Sequence, residues 1–227
     1  MNPLKTNGLI IQNFPQVKYE SIHFILSNKY AERKEYEHFS GAWNAVSYRY
    51  KATIDHGEDF IKLLKLYGTA PQPEKRYLQE QTLFNHFSSC FSVFESMCYG
   101  FFAIGSIVSP EYFFINDSAD QRKISPETTK KTYQKAFPNE QITETLIELI
   151  ADSEFEKIRN TRNILTHRAA PGRKIYLNIG EDESLPTEWK LNNKPLNEFI
   201  VKSNEDNMKR LLNNLLNAGE EFCKLKL

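Results

Sequence analysis

The sequence predicts a mainly α-helical protein: a bundle of four longer helices, with short helices and one small β-hairpin inserted between them. Only nine Gly and ten Pro interrupt the 227 residues. Long stretches place apolar residues at three-, four- and seven-residue steps, as helices do, and the breaks between these stretches carry helix-start and helix-stop residues. With 40% hydrophobic and 26% charged residues, the composition is that of a folded globular protein. We expect an N-terminal arm at 1–16 and a single helical domain at 17–227.

The first two long helices are expected close together in the chain. Helical spacing of apolar residues predicts a helix from about Ser40 to Tyr67, ended by Gly68. Proline suits a first helical turn, so the next helix is predicted from Pro73 to Val108, before Ser109-Pro110. This second helix carries the most aromatic face of the chain, made of Leu83, Phe84, Phe87, Cys90, Phe91, Phe94, Met97, Cys98, Phe101 and Phe102.

Shorter elements are expected next, after an irregular stretch at 111–123. Ser125-Pro126-Glu127 predicts the start of a short helix that Pro138 closes, and another short helix fits Glu140 to Ala151. Ser153 with Glu156 has the spacing of a capping box, which predicts a third longer helix from about Glu154, ending before Pro171-Gly172.

A minor hairpin and a last helix complete the predicted bundle. Lys174 to Ile179 and Glu188 to Leu191 have the composition of two short strands around an acidic turn. Ser203 with Asp206 forms a second possible capping box, and it predicts a final helix running almost to Leu227.

Charge and cysteine content exclude several classes of protein. Lys plus Arg and Asp plus Glu number 29 each, which argues against coating by nucleic acid through bulk charge but leaves room for a local basic site. The uncharged stretch from Ser96 to Ser109 is shorter than the ~20 residues of a spanning helix, so no membrane segment is expected. Cys90, Cys98 and Cys223 form no CxxC pattern. They therefore predict reduced thiols in a cytoplasmic protein.

The most informative stretch is basic and runs from Lys157 to Lys174. It holds six Lys or Arg residues and no acid, so the rest of the chain has a net charge of minus six. At about 100° per residue, Arg162 projects on the apolar side of the predicted helix. Arg159, Asn163 and His167 follow the adjoining flank at four-residue steps. A guanidinium in that position needs a carboxylate, carbonyl or phosphate partner, because an unpaired sheltered charge is costly.

Arg162-Asn163-Ile164-Leu165-Thr166-His167 reads R-N-x-x-x-H near the end of a helix in an all-α chain. In this spacing and context the sequence resembles the HEPN superfamily (higher eukaryotes and prokaryotes nucleotide-binding domains). The resemblance covers roughly 40–227 as a bundle, and only the six-residue motif is specific. It implies metal-independent RNA cleavage, often in toxin or defence systems, at sites formed where two bundles dimerise.

The residue types suit the chemistry that the resemblance implies. RNA carries its own nucleophile, the 2′-OH, so the protein must supply a proton acceptor or donor and positive charge for the transition state. Histidine exchanges protons near neutral pH, which fits His167 for the first task, and Arg162 fits the second. Asn163 is expected to orient the imidazole or bind phosphate. The predicted RNA contacts of the basic segment are Lys157, Arg159, Arg168 and Arg173.

Other expectations concern the surroundings of this motif. Glu95 lies among the serines of the aromatic helix, where it is expected either to anchor Arg162 or Arg159 or to be a solvent-facing acid. The aromatic stripe of that helix and its serine-lined side predict a homodimer that brings the two basic segments together. An antitoxin or a nucleotidyltransferase is the further partner that the resemblance implies. No cofactor is expected, because the chain has no P-loop, Rossmann or G-x-S-x-G pattern.

Two alternatives remain open at this stage. The first is a catalytically inactive module that binds RNA, nucleotides or a protein partner, with Arg162 held in a structural salt bridge. The second is a di-iron site, because Glu20 with His23 and Glu35 with His38 each read E-x-x-H. These two pairs are only fifteen residues apart and precede the strongest predicted helices, so no metal is expected.

Overall fold

A computed structural model of the protein describes residues 11–167, 171–174, 187–191 and 193–227. In this part of the chain the protein is mostly helical, as predicted, with eight helices and three short strands. The helices are α1 (Gln16–Tyr30), α2 (Lys34–Tyr67), α3 (Pro73–Val108), α4 (Ser118–Arg122), α5 (Pro126–Ala136), α6 (Gln141–Ala151), α7 (Ser153–His167) and α8 (Glu198–Lys226), and the strands are β1 (Arg173–Lys174), β2 (Glu188–Leu191) and β3 (Lys194–Pro195).

Helices α2 and α3 form the most extensive helix pair of the bundle, and α3 contacts α5, α7 and α8 as well. Both ends of α3 lie where the sequence predicts them, at Pro73 and Val108. Helix α2 begins at Lys34, six residues before the predicted start. In the described part of the chain, α3 is the one helix long and apolar enough to cross a membrane. Yet 78% of its most apolar stretch is buried among its neighbours, as in a core helix.

The aromatic face of α3 is buried within its own chain. Phe94 and Phe101 have at most 1% exposed surface, and Phe91 and Phe102 have 7%. Only Phe84 of this face is exposed, at 36%. The expectation that these aromatic side chains need a second copy of the protein for burial is therefore wrong, because helices α2, α5, α7 and α8 cover them.

Other helix starts, or the residues that cap them, also differ from the predictions. Helix α1 was not expected, although its buried face repeats at helical spacing through Tyr19, Ile22 and Leu26. Helix α7 does not use the predicted capping box, because Asp152 Oδ1 accepts the backbone N–H groups of Glu154 and Phe155. Helix α8 begins at Glu198 instead of near Ser203, and the side chain of Asn197 caps it.

The strands form a small antiparallel sheet in the order β1, β2, β3. Arg173 pairs with Trp189, and Lys190 pairs with Pro195. The β1–β2 pairing agrees with the start of the predicted hairpin, whereas the sequence does not predict β3. Residues 175–179 of the first predicted strand lie outside the described residues. The acidic turn of that hairpin falls outside the described residues. Trp189 packs against Phe60 of α2, so the sheet closes a second, smaller core beside α2, α3 and α8.

A neutral histidine lies at the centre of the bundle, between α2, α3 and α8. The His86 ring is fully buried, with Nδ1 2.9 Å from the carbonyl oxygen of Thr53 and Nε2 3.0 Å from the side-chain nitrogen of Asn204. This network assigns the proton to Nδ1. Space here is tight, because a Cβ added at Gly57 would lie 3.0 Å from His86 Nδ1. Burial lowers the pKa of His86 to about 4, and the Thr53 carbonyl only partly opposes this effect.

We expect this burial to make the protein less stable in mild acid. Below pH ~6.5 the unfolded chain binds a proton at His86 that the folded chain excludes until about pH 4. The free energy of unfolding should therefore fall by ~3 kcal/mol across this window. Urea unfolding of the parent and of His86→Gln at several pH values isolates the contribution of His86. The carboxylates are common to both proteins, so their effects on the pH dependence largely cancel in the comparison. Parallel stability curves for the two proteins would contradict this assignment.

Candidate functional site

Helix α7 carries the R-N-x-x-x-H motif and is held in place by its apolar side. Phe155 and Ile158 are buried, and Phe155 packs edge-on against Phe94 of α3 with ring centroids 5.3 Å apart. The following turns lie over the smaller core, which Ile164 and Leu165 contact. The motif therefore occupies the last two turns of a helix that is anchored to α3 from its first turn onward.

Arg162 is half-buried between α7 and α3, as its place on the apolar side predicts. Its guanidinium carbon lies 5.4 Å from the centre of the Phe91 ring. One terminal nitrogen donates a hydrogen bond to Oδ1 of Asn163 at 3.0 Å. Within the described residues, no carboxylate lies within ion-pair distance of Arg162. Its positive charge is therefore sheltered on one side and is not neutralised by any carboxylate of the described residues.

Glu95 does not meet either arginine that it was expected to anchor. Its carboxylate accepts a hydrogen bond from Ser92 at 3.1 Å and lines a groove of about 500 Å³ between α2 and α3. Arg49, exposed on α2, lines the same groove. Glu95 therefore does not support Arg162, because its carboxylate is directed toward α2. The side chain of Asn163 bonds to Arg162 instead.

The other described residues that were proposed to bind RNA differ from Arg162, because each of these lysines and arginines has a carboxylate partner. Arg159 lies 2.5 Å from Glu127 at the start of α5, and both side chains are partly exposed. Lys157 forms an ion pair with Glu154 one turn earlier on α7. Arg168 lies outside the described residues.

Arg173 is buried, which corrects its prediction as an RNA contact. Only 3% of its side chain is exposed, and its guanidinium lies 3.8 Å from the Trp189 ring centre. It donates hydrogen bonds to Glu80 at 2.5 Å and to the side-chain oxygen of Gln79 at 2.9 Å. Burial lowers the pKa of Arg173, and the Glu80 carboxylate acts in the opposite direction. The residue joins the sheet to α3 and has no free surface for a phosphate.

His167 is the last residue of α7 and is exposed to solvent. No other described residue forms a hydrogen bond with its ring, so the imidazole is open to an incoming group. Five residues on an ideal helix separate Arg162 from His167 by about 140°. The two side chains therefore face different directions in one chain, with Asn163 between them.

A second concave surface lies beside α7 and was not foreseen from the sequence. This groove of about 550 Å³ is walled by α7, α8 and the β2–β3 hairpin, with Phe87 of α3 at its floor. Its walls come from three parts of the chain that are distant in sequence: α3, α7 and the segment that runs from β2 into α8. No local pattern could therefore have indicated it.

The histidine of each E-x-x-H pair forms a hydrogen bond with a tyrosine hydroxyl. His23 Nε2 lies 3.1 Å from the Tyr36 hydroxyl, and burial lowers the pKa of His23. His38 Nδ1 lies 3.2 Å from the Tyr99 hydroxyl. Among the residues that the structure describes, no group of three or more His, Cys, Asp or Glu side chains is placed to hold a metal ion.

The fold and this surface together define a mostly helical protein with an exposed histidine near one helix end and an arginine that meets no carboxylate among the residues the structure describes. Comparison with protein-family models, with curated proteins and with solved structures finds no match to this chain.

Proposed function

We propose that this protein is a metal-independent endoribonuclease with a HEPN-like bundle, which cleaves single-stranded RNA through attack by the RNA's own 2′-OH. The observation that carries the proposal is the contrast between Arg162 and its neighbours. Lys157, Arg159 and Arg173 each face a carboxylate, whereas the guanidinium of Arg162 faces an amide oxygen and an aromatic ring. A cation held in place but not neutralised is suited to bind a phosphate.

The chemistry needs two groups from the protein. As the bond from the 2′-oxygen to phosphorus forms, the bond from phosphorus to the 5′-oxygen breaks, which leaves a 2′,3′-cyclic phosphate and a 5′-hydroxyl. His167 takes the proton from the 2′-OH or supplies one to the leaving 5′-oxygen, and solvent water exchanges the other proton. Arg162 donates to the non-bridging oxygens, whose charge grows in the transition state. Asn163 holds the guanidinium through its side-chain oxygen.

The direct test is an incubation of pure protein with labelled single-stranded RNA in EDTA. We expect cleavage that continues without divalent ions and gives fragments ending in cyclic phosphate, identified by mass spectrometry. The alternative is an inactive module that binds RNA, nucleotides or a partner. One form of this alternative holds Arg162 in a structural salt bridge, but the described residues place no carboxylate beside Arg162. RNA binding without cleavage would favour the binding form of this alternative.

The proposal includes a homodimer, because Arg162 and His167 diverge by about 140° on one helix. Two copies of α7 related by a two-fold axis can place Arg162 of one chain beside His167 of the other. A toxin or defence role, a cytoplasmic location, and an antitoxin or nucleotidyltransferase partner also belong to the proposal through the family resemblance.

We expect light scattering at micromolar concentration to give twice the chain mass, and mixing to restore activity. Arg162→Ala and His167→Ala proteins, each inactive alone, would form heterodimers with one intact site. A random equal mixture should then recover about a quarter of the parent rate. As a control, each variant is also mixed with the parent protein, which shows whether subunits exchange between dimers. A monomer mass, or no recovery despite demonstrated exchange, would count against a shared site.

A further inference from the structure

The groove between α7, α8 and the β2–β3 hairpin, called here the α7–α8 groove, has the size and lining of a ligand site. Its volume of about 550 Å³ lies within the range of pockets that bind small organic molecules. The floor is apolar and well packed, with Phe87, Ile158 and Leu191 all buried. An aromatic ring stands at its edge, because Phe199 of α8 lines the groove with 77% of its surface exposed.

Neutral hydrogen-bonding groups without partners surround this floor. The side chains of Asn160, Thr161 and Ser203 line the groove, and none of them bonds to another described residue. Amides and hydroxyls both donate and accept, as the edge of a nucleobase requires. Lys194 adds a positive charge to the lining. An exposed ring for stacking, neutral groups for a base edge and a nearby cation together match one nucleotide.

The position of Asn160 connects this groove with the motif. Asn160 and His167 are seven residues apart, so they share the exposed ridge of α7 and lie about 10 Å apart along its axis. Asn163 lies between them on the same side of the helix. A strand that leaves the groove past Asn160 therefore runs toward His167, over a distance that a short length of single-stranded RNA covers.

We propose that the α7–α8 groove binds one unstacked nucleotide of the RNA, close to the phosphate at which His167 acts. The base stacks on Phe199 and bonds to the amide of Asn160 and the hydroxyls of Thr161 and Ser203. This inference rests on the proposed ribonuclease function for its place in catalysis. Binding of an unstacked nucleotide would confine cleavage to single-stranded RNA, since a base that is paired in a duplex cannot enter the α7–α8 groove.

Binding can be tested separately from cleavage. The probes are the four ribonucleoside 5′-monophosphates, with ribose 5-phosphate as the control that lacks a base, added to protein with labelled methyl groups. We expect at least one nucleotide to shift the methyl signals of Ile158, Leu191 and Ile200, and ribose 5-phosphate to leave them in place. Equal responses to ribose 5-phosphate and all nucleotides, or no response to any, would overturn the proposal.

Kinetics on RNA provide the second readout. Phe199→Ala should raise KM about 10-fold with kcat changed less than about twofold, because the stacked base contributes to binding and not to proton transfer. Phe114→Ala is the matched control, since this ring is 56% exposed on the loop before α4. An unchanged KM for Phe199→Ala, with active parent protein, refutes the groove and leaves the ribonuclease standing. Nucleotide shifts in a parent protein that cleaves no RNA refute the ribonuclease and leave the groove standing.

Discussion

Replacing His167 with alanine is expected to lower RNA cleavage by about 100-fold or more while leaving the fold intact. The ring is exposed at the end of α7, and no other described residue bonds to it, so its removal breaks no packing. What is lost is the group that exchanges a proton with the 2′-OH or the leaving oxygen. Single-turnover cleavage of labelled RNA measures the effect, and circular dichroism and thermal unfolding check the fold.

His56→Ala is the control for loss of an imidazole elsewhere, because His56 is a partly exposed residue of α2 outside the motif. It should cleave at the parent rate. Magnesium should not rescue His167→Ala, and DNA of the same sequence should bind to the parent but stay whole. Equal cleavage by parent and His167→Ala proteins would falsify the assignment of His167.

Arg162→Ala is expected to cost a similar factor in the cleavage rate, because its guanidinium would stabilise charge that develops only in the transition state. Its effect on stability should be small, under ~1 kcal/mol. Only the contact with the Phe91 ring and the bond to Asn163 are lost, and no buried carboxylate is left unpaired. Measuring kcat and the melting temperature for the same protein separates the two effects.

Arg33→Ala is a matched control for Arg162→Ala. The Arg33 guanidinium also lies 5.4 Å from an aromatic ring centre, that of Tyr30 at the end of α1, and it lies away from the motif. Arg33→Ala should cleave normally. Arg162→Lys keeps the charge but loses the planar guanidinium, which can donate two parallel hydrogen bonds to a phosphate. This variant should therefore recover only part of the cleavage rate. A loss of several kcal/mol for Arg162→Ala would instead indicate a salt bridge, and would support the inactive-module alternative.

Local signals in the sequence are sufficient for the helices whose ends depend on the backbone alone. Proline at position 73 and the Ser109-Pro110 pair bound α3 correctly, because proline suits a first turn and prevents continuation of a helix. The cap of α5 is of the same kind, since Ser125 accepts the backbone N–H of Thr128. Such signals act within a few residues and need no knowledge of the rest of the chain.

Elements whose ends depend on packing were misjudged. The spacing of Ser153 and Ser203 predicts helix caps at these two residues, yet Asp152 and Asn197 cap the helices. Helix α1 has no strong apolar stripe, because Val17 and Phe24 remain exposed on its outer face, and it is held through contacts with α8. Where several residues could start a helix, burial against segments distant in the sequence decides which of them does.

The sequence by itself determined a mostly helical bundle, the ends of α3 and the position of the R-N-x-x-x-H motif at the end of a helix, because these follow from spacing along one segment. Only the tertiary structure decided which basic residues keep a free charge. Arg173 is buried against Glu80, and Arg159 meets Glu127, while Arg162 meets no described carboxylate. The partners come from α3 and α5, more than 30 residues away, so their contacts depend on how helices pack and not on any local pattern.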